Sequence, residues 1–142
     1  MHPADRRLAE MLADARVIAV VGLSDDPRRT SHRIAAYLQA AGYQIIPVNP
    51  EVAEALGEKS FPSLAALVRP VDIVNVFRRP EHIPAVAEDF LRMKTRPGVF
   101  WMQKGIAHAE SARRLEEAGA EVIQDLCIKT AHRLLLAGQP RG

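Results

Sequence analysis

Short apolar runs rich in β-branched residues recur along this chain without polar alternation, the pattern of strands buried on both faces of a parallel sheet. Five segments carry it: residues 17–21, 43–48, 71–77, 99–103 and, weakest, 121–124. Between them the apolar period lengthens to that of a helix. Residues 31–41 set Ile34, Ala35, Leu38 and Ala41 on one face, and Gly42 follows where a helix C′ residue belongs. Residues 81–93 repeat the spacing with Ile83, Val86, Ala87, Phe90 and Leu91, and residues 108–118 end at Gly119. Helices at about 3–15 and 130–137 flank the set. Residues 52–68, broken by Gly57 and Pro62, predict an irregular crossover.

Strands alternating with helices at this spacing imply βαβ units. The fold class is therefore α/β: a Rossmann-like, three-layer αβα domain with a mainly parallel sheet of about five strands. Length and composition agree. The 142 residues suit one domain, spanning 1–142 with its core at about 15–130, and 48% hydrophobic with 25% charged residues is a globular profile. The formal net charge of +2 is too small a bias to point to nucleic acid. The single cysteine, Cys127, excludes an intrachain disulfide and a multi-cysteine zinc site, and no His-x-x-x-His pair offers a metal. No apolar run approaches the ~20 residues that span a bilayer. Nor does the N-terminus carry the apolar region of a secretory signal. A cytoplasmic, reducing location is the expectation, with the 138–142 tail frayed.

In such sheets ligands bind at the carboxyl ends of the strands, near the point where strand order reverses. The loops there are chemically unusual. After the first strand comes Gly22-Leu23-Ser24-Asp25-Asp26-Pro27-Arg28-Arg29-Thr30-Ser31. Gly22 allows a tight turn and a close backbone approach to a ligand. Thr30 or Ser31 is expected as N-cap, and the helix start offers unpaired N–H groups to an anion. Ser24, Arg28 and Arg29 add a hydroxyl and two guanidinium forks suited to phosphate oxygens. The sequence predicts a diphosphate cradle here, although Ser24 occupies the second position of the Gly-x-Gly-x-x-Gly fingerprint. An ordinary polar loop with a capped helix is the plain alternative. Asp25 and Asp26 read as turn residues.

The second strand ends in Pro47-Val48-Asn49-Pro50, a rigid neutral turn where an NAD site would carry an acidic residue. The third runs into Phe77-Arg78-Arg79-Pro80, so that one arginine can face a cleft phosphate while the other is solvated. Phe77 lies either against an adenine ring or in the core. The fourth ends in Trp101-Met102-Gln103-Lys104-Gly105-Ile106. Gly105 permits a close approach, Gln103 can donate and accept, and Trp101 reads as packed.

Together these stretches, with residues 118–122 leading to Cys127-Ile128-Lys129, resemble the coenzyme A-binding domain family. That family is related to the N-terminal domain of the succinyl-CoA synthetase α subunit and also occurs as stand-alone small proteins. The resemblance covers roughly residues 15–130. It implies coenzyme A, or an acyl-CoA, lying across the strand C-termini. By position, Gly22, Ser24 and Arg28 would meet the diphosphate, and Thr30 and Ser31, at the helix start, join them as candidate cofactor-binding residues. Asn49, Pro50, Phe77 and Arg78 would border the nucleotide, and Gln103, Lys104, Gly105 and Ile106 the pantetheine. Two positions depart from the family: Lys104 where an apolar residue is common, and Thr130-Ala131 where an acidic one is.

Chemistry in the synthetases resembles phosphoryl transfer through a histidine on a further domain, and this chain ends where that domain would begin. None of the five histidines (His2, His32, His82, His108, His132) sits beside a phosphate loop of its own, although His32 can reach the cleft. Cys127 reads as buried core, with a nucleophile or a mixed-disulfide partner for the CoA thiol as the sharper alternative. The expectation is a binding protein without catalysis, with no metal, nucleic-acid or membrane partner. A small NAD(P)-dependent enzyme, or a CoA-ligase-like fragment needing a partner subunit, is the second reading. A third is a regulatory protein, a homo-oligomer or the partner of another protein, with CoA as its signal.

Overall fold

A computed structural model describes residues 2–136. Helix α1 (Pro3–Asp14) leads, started by Pro3 at its first turn and by the His2 ring, which accepts from the Ala4 N–H at 3.0 Å. Strand β1 (Val17–Val21) follows, then α2 (Thr30–Ala40) and β2 (Gln44–Val48). A small antiparallel ribbon, β3 (Glu54–Ala55) with β4 (Glu58–Lys59), occupies the crossover. Next come β5 (Ile73–Val76), α3 (Ile83–Leu91), β6 (Val99–Met102), α4 (Ala109–Glu117), β7 (Glu121–Ile123) and α5 (Ile128–Leu135).

The main sheet has the order β2-β1-β5-β6-β7, and every pairing is parallel. The chain moves outward from β1 to β2, then returns past β1 to build the other half. The reversal therefore falls between β1 and β5, where Val21 pairs with Val76, and the adjoining crevice is where such a sheet admits ligands.

Why these segments are strands is visible in their burial: the last four residues of β1 and of β2 are buried, as are all of β5 and β6. Alternate side chains feed two cores. On one face Ile18, Val20, Ile45, Ile73 and Trp101 pack with Leu12 of α1, Ile34 and Leu38 of α2 and Ile128 of α5. On the other, Ala19, Ile46, Val74 and Phe100 pack with Phe90 of α3 and Leu115 of α4. The Phe90 and Phe100 rings meet edge to face, with centroids 5.3 Å apart. At the amino end, the Asp72 carboxylate accepts from the Arg16 and Val17 amides at 2.8 and 2.9 Å, anchoring the start of β1. The three-layer α/β architecture expected from the sequence is the one observed.

Three local expectations need correction. Neither Thr30 nor Ser31 caps α2: Arg29 holds the cap position with no side-chain hydrogen bond, because the Ser31 hydroxyl instead accepts from the Ser24 amide at 3.0 Å. The closing helix begins at Ile128 rather than near 130, its first amide reaching the Gln103 side-chain oxygen at 3.2 Å. Its expected end at 137 and the 138–142 tail lie outside the described residues. The crossover at 52–68 is more ordered than expected, with Leu56 and Gly57 at φ +55° and +77° turning β3 into β4.

Candidate functional site

Two adjacent cavities open at the carboxyl edge of the sheet, on either side of the Phe77 ring. The first, of about 700 Å³, lies over the loop after β1 and is lined by Gly22, Ser24, Arg28, Arg29, Thr30, Ser31, Asn49 and Phe77, among others. The second, of about 510 Å³, extends over the ends of β5 and β6, between Ile34 of α2 and the Gln103-Lys104-Gly105-Ile106 loop, with Cys127 beside it. Thr30 and Phe77 border both. Of the thirteen residues singled out from the sequence, twelve fall on these two cavities. Pro50 does not. It lines a separate groove of about 350 Å³ together with Arg78 and Arg92, because the turn after Asn49 carries it away from the helix start.

Gly22 has φ +86°, and a Cβ there would overlap the Phe77 carbonyl oxygen. In the structure its close approach is to the end of β5, at the wall of the first cavity. The Gly22 amide donates to the Val48 carbonyl at 2.8 Å, so this residue locks three strand ends into one edge. Ser24 is likewise a turn former: its hydroxyl accepts from the Asp26 amide at 3.0 Å. Behind the loop, α2 makes its first intrahelical bond from Arg33 to the Arg29 carbonyl. The N–H groups of Thr30, Ser31 and His32 precede it, and with no side chain capping the helix they are directed out of its first turn.

Arg28 does not reach inward. Its fork lies on Asp26, Nε to Oδ1 and Nη2 to Oδ2 both at 3.1 Å, and its side chain is 89% exposed. These side-chain bonds, then the bond from the Arg28 amide, hold the Asp26 carboxyl below the usual carboxylate range. Asp26 is the turn residue expected, but it also occupies the cation assigned to phosphate.

Asn49 is buried, and its side chain is committed to the fold: Nδ2 donates to the Leu23 carbonyl at 3.1 Å, and Oδ1 accepts from the Glu51 amide at 3.0 Å. Phe77 is half-buried, packed on the core edge, and its ring divides the cavities. Trp101 is fully buried, donating through Nε1 to the Leu126 carbonyl at 2.8 Å.

Gln103 forms the base of the second cavity. Its oxygen accepts from the Ile128 amide and from Asn75 Nδ2, at 3.2 and 3.4 Å. Asn75 is wholly buried and its own oxygen has no protein partner. Gly105 has φ +85°, and a Cβ added there would meet nothing within 4 Å; its amide donates to Asp125 at 2.6 Å. The turn conformation, not crowding, explains this glycine.

Cys127 is half-buried at the start of α5, packed against the core on one side and bordering the second cavity on the other, so the expectation of a buried core residue holds only in part. Desolvation pushes its thiol up. Hydrogen bonds from the Thr130 hydroxyl and amide, from the Gln103 side chain and from the Lys129 amide outweigh that and bring it below the ordinary thiol range.

The histidines contribute elsewhere. His2 and His108 cap helices, His132 is buried against Tyr37 and Tyr43, and His32 is half-buried and borders neither cavity. Among the described residues, no group of three or more His, Cys, Asp or Glu is placed to hold a metal ion, and no helix is long and apolar enough to cross a membrane. Reading the sequence missed Ile34, Glu51 and Val52 as cavity residues. Ile34 lies one helical turn after Thr30, and that i, i+4 spacing was the available signal.

Sheet order and cavity position define a Rossmann-like α/β domain with two adjoining cavities at its strand C-termini. The CoA binding domain family matches residues 16–133, and the chain belongs to it. The uncharacterized protein YneT of Bacillus subtilis is 52% identical over 131 residues, covering 92% of this chain and 96% of YneT. A Thermus thermophilus structure, cell-free ID.343, superposes with a TM-score of 0.88 at 38% identity, over 96% of this chain and all of that one. The dinucleotide-forming acetyl-coenzyme A synthetase 1 of Ca. Korarchaeum cryptofilum matches 80% of this chain with a TM-score of 0.65 at 25% identity. This chain corresponds to 26% of that synthetase.

Proposed function

We propose that this domain binds coenzyme A, or an acyl-CoA, across the carboxyl ends of β1, β5 and β6, and that it performs no catalysis of its own. The diphosphate lies in the cavity beneath the α2 N-terminus and the pantetheine in the cavity beside Cys127. The observation that carries this reading is the pairing of two contiguous cavities of opposite character. One joins the uncapped helix N–H groups to Arg28 and Arg29; the other is walled by Ile34, Phe77, Pro80 and Ile106, with Arg78, Arg79 and Lys104 also bordering it. A ligand with a phosphate head and a long, weakly polar arm matches that division. Arg28 must leave Asp26 to join the phosphates, so its contribution is smaller than that of a preorganised cation.

An NAD(P) enzyme is the weaker reading. Asn49 supplies no carboxylate for a ribose hydroxyl, and its amide is already bonded to Leu23 and Glu51. Calorimetric titration with CoA, acetyl-CoA, NAD and NADP tests the assignment. CoA or its thioester is expected to bind tightest, and tighter binding of NAD rejects the proposal. A turnover screen with acyl donors tests the absence of catalysis, and sustained CoA-dependent turnover rejects that part.

A further inference from the structure

The second cavity carries a charge imbalance. Arg78, Arg79 and Lys104 border it, and among the described residues no Asp or Glu does. Among the described residues none of the three has an ion-pair or hydrogen-bonding partner for its side chain, whereas Arg28 at the other cavity is paired with Asp26. Three cations bordering one partly apolar cleft raise the local concentration of anions. Arg78 is half-buried, so its charge is screened less than those of exposed Arg79 and Lys104.

The proposed CoA pose does not supply the missing anion. Its diphosphate sits beyond Phe77, over the α2 N-terminus, and Arg78, whose Nε lies 3.5 Å from a Cβ built on Gly22, is left to the nucleotide end, while the arm that passes Arg79 and Lys104 is uncharged amide and thiol. A counter-charge at this end must come from whatever the sulfur carries. We infer that the site selects acyl-CoA thioesters whose acyl group ends in a carboxylate, with Lys104 and Arg79 receiving that carboxylate at the cavity mouth. This inference rests on the CoA assignment and extends it to a ligand class.

The probes are glutaryl-CoA and pentanoyl-CoA, which share acyl chain length and differ in the terminal carboxylate. Titration of the wild-type protein is expected to give about two- to five-fold tighter binding of glutaryl-CoA, the scale of an ion pair made by exposed cations. In the Arg79→Gln/Lys104→Met double variant that ratio is expected to fall to about one. The ratio is the readout, since the double substitution can shift both constants together. Thermal melts establish that the variant is folded. Equal binding of the two probes by the wild type overturns the inference, and so does a ratio that survives in the double variant. CoA and 3′-dephospho-CoA are titrated alongside. If the double substitution erases their difference while leaving the glutaryl ratio intact, the cations read the 3′-phosphate and the inference is again overturned. Failure of CoA itself to bind removes the parent proposal and this one together. Tight CoA binding without carboxylate preference removes this one alone.

Discussion

Substituting Gly22 by alanine tests whether the edge that carries both cavities is held by a backbone contact. The new Cβ would overlap the Phe77 carbonyl oxygen and lie 3.2 Å from its carbonyl carbon. Neither atom belongs to a flexible side chain. Phe77 is fixed by its own amide, which donates to the Val21 carbonyl at 2.9 Å, so β1 and β5 must separate at their ends or Gly22 must leave φ +86°. The backbone conformation alone costs alanine roughly 1–2 kcal/mol, and overpacking against a rigid neighbour adds about 1–3 kcal/mol. Gly105→Ala is the internal control: φ is +85°, but nothing lies within 4 Å, so only the conformational cost applies. Urea unfolding is expected to show Gly22→Ala less stable than Gly105→Ala by about 1–3 kcal/mol at constant m-value. At a few degrees per kcal/mol, Gly22→Ala should lower Tm by about 10 °C. Because Phe77 separates the cavities, Gly22→Ala should also weaken CoA binding. If Gly22→Ala is no more damaging than Gly105→Ala, the contact with Phe77 is not what makes this position glycine.

Other consequences can be measured on the same protein. Asp26→Asn keeps an acceptor for the Arg28 amide but releases the guanidinium, and should tighten CoA about two- to five-fold, while Arg28→Ala should weaken it about five-fold; unchanged titrations for both remove Arg28 from the site. Alkylation of Cys127 by iodoacetamide should reach half its maximal rate at a pH below the ordinary thiol range, move upward in Thr130→Val, and slow when CoA is present. A titration at or above the ordinary value, unmoved by Thr130→Val, contradicts the hydrogen-bonding account. Arg7 hydrogen-bonds the Glu121 carboxylate and thereby lowers its pKa, joining α1 to β7. Since the folded carboxyl is depressed, this contribution is present above the unfolded carboxyl range and is lost as pH falls through the depressed one. Both side chains are about half exposed, so Arg7→Met should destabilise only slightly at neutral pH, with a Tm difference that closes in acid. A difference that widens in acid would refute the pairing.

Local chemistry was enough to place the strands, because a parallel strand buried on both faces must be apolar throughout. Residues 17–21 and 99–102 are of that kind, and their helices declare themselves by period and by the glycines that end them. The edge strand β7 was weakest in sequence for the same reason: Glu121, Val122 and Ile123 are only half-buried, and its charged first residue pairs with Arg7, 114 positions earlier. The chemistry of the cleft loops was legible too, since glycine, asparagine and arginine at strand ends are unusual whatever surrounds them.

What those residues do was decided by contacts between segments far apart in the chain. Gly22 answers to Phe77, Asn49 to Leu23, and Gln103 to Asn75 and Ile128. Pro50 was carried to another groove by the turn it helps to form. Arg28 was captured by a carboxylate two residues away, a competition that residue type alone does not resolve because phosphate and Asp26 offer the same guanidinium similar partners. Cys127 depends most on tertiary structure: a lone cysteine in sequence is indistinguishable from core, and only the meeting of β6 with the start of α5 surrounds it with donors beside an open cavity. Periodicity determines which face of an element is buried. Which groups are left free to meet a ligand is settled only once the elements have satisfied one another.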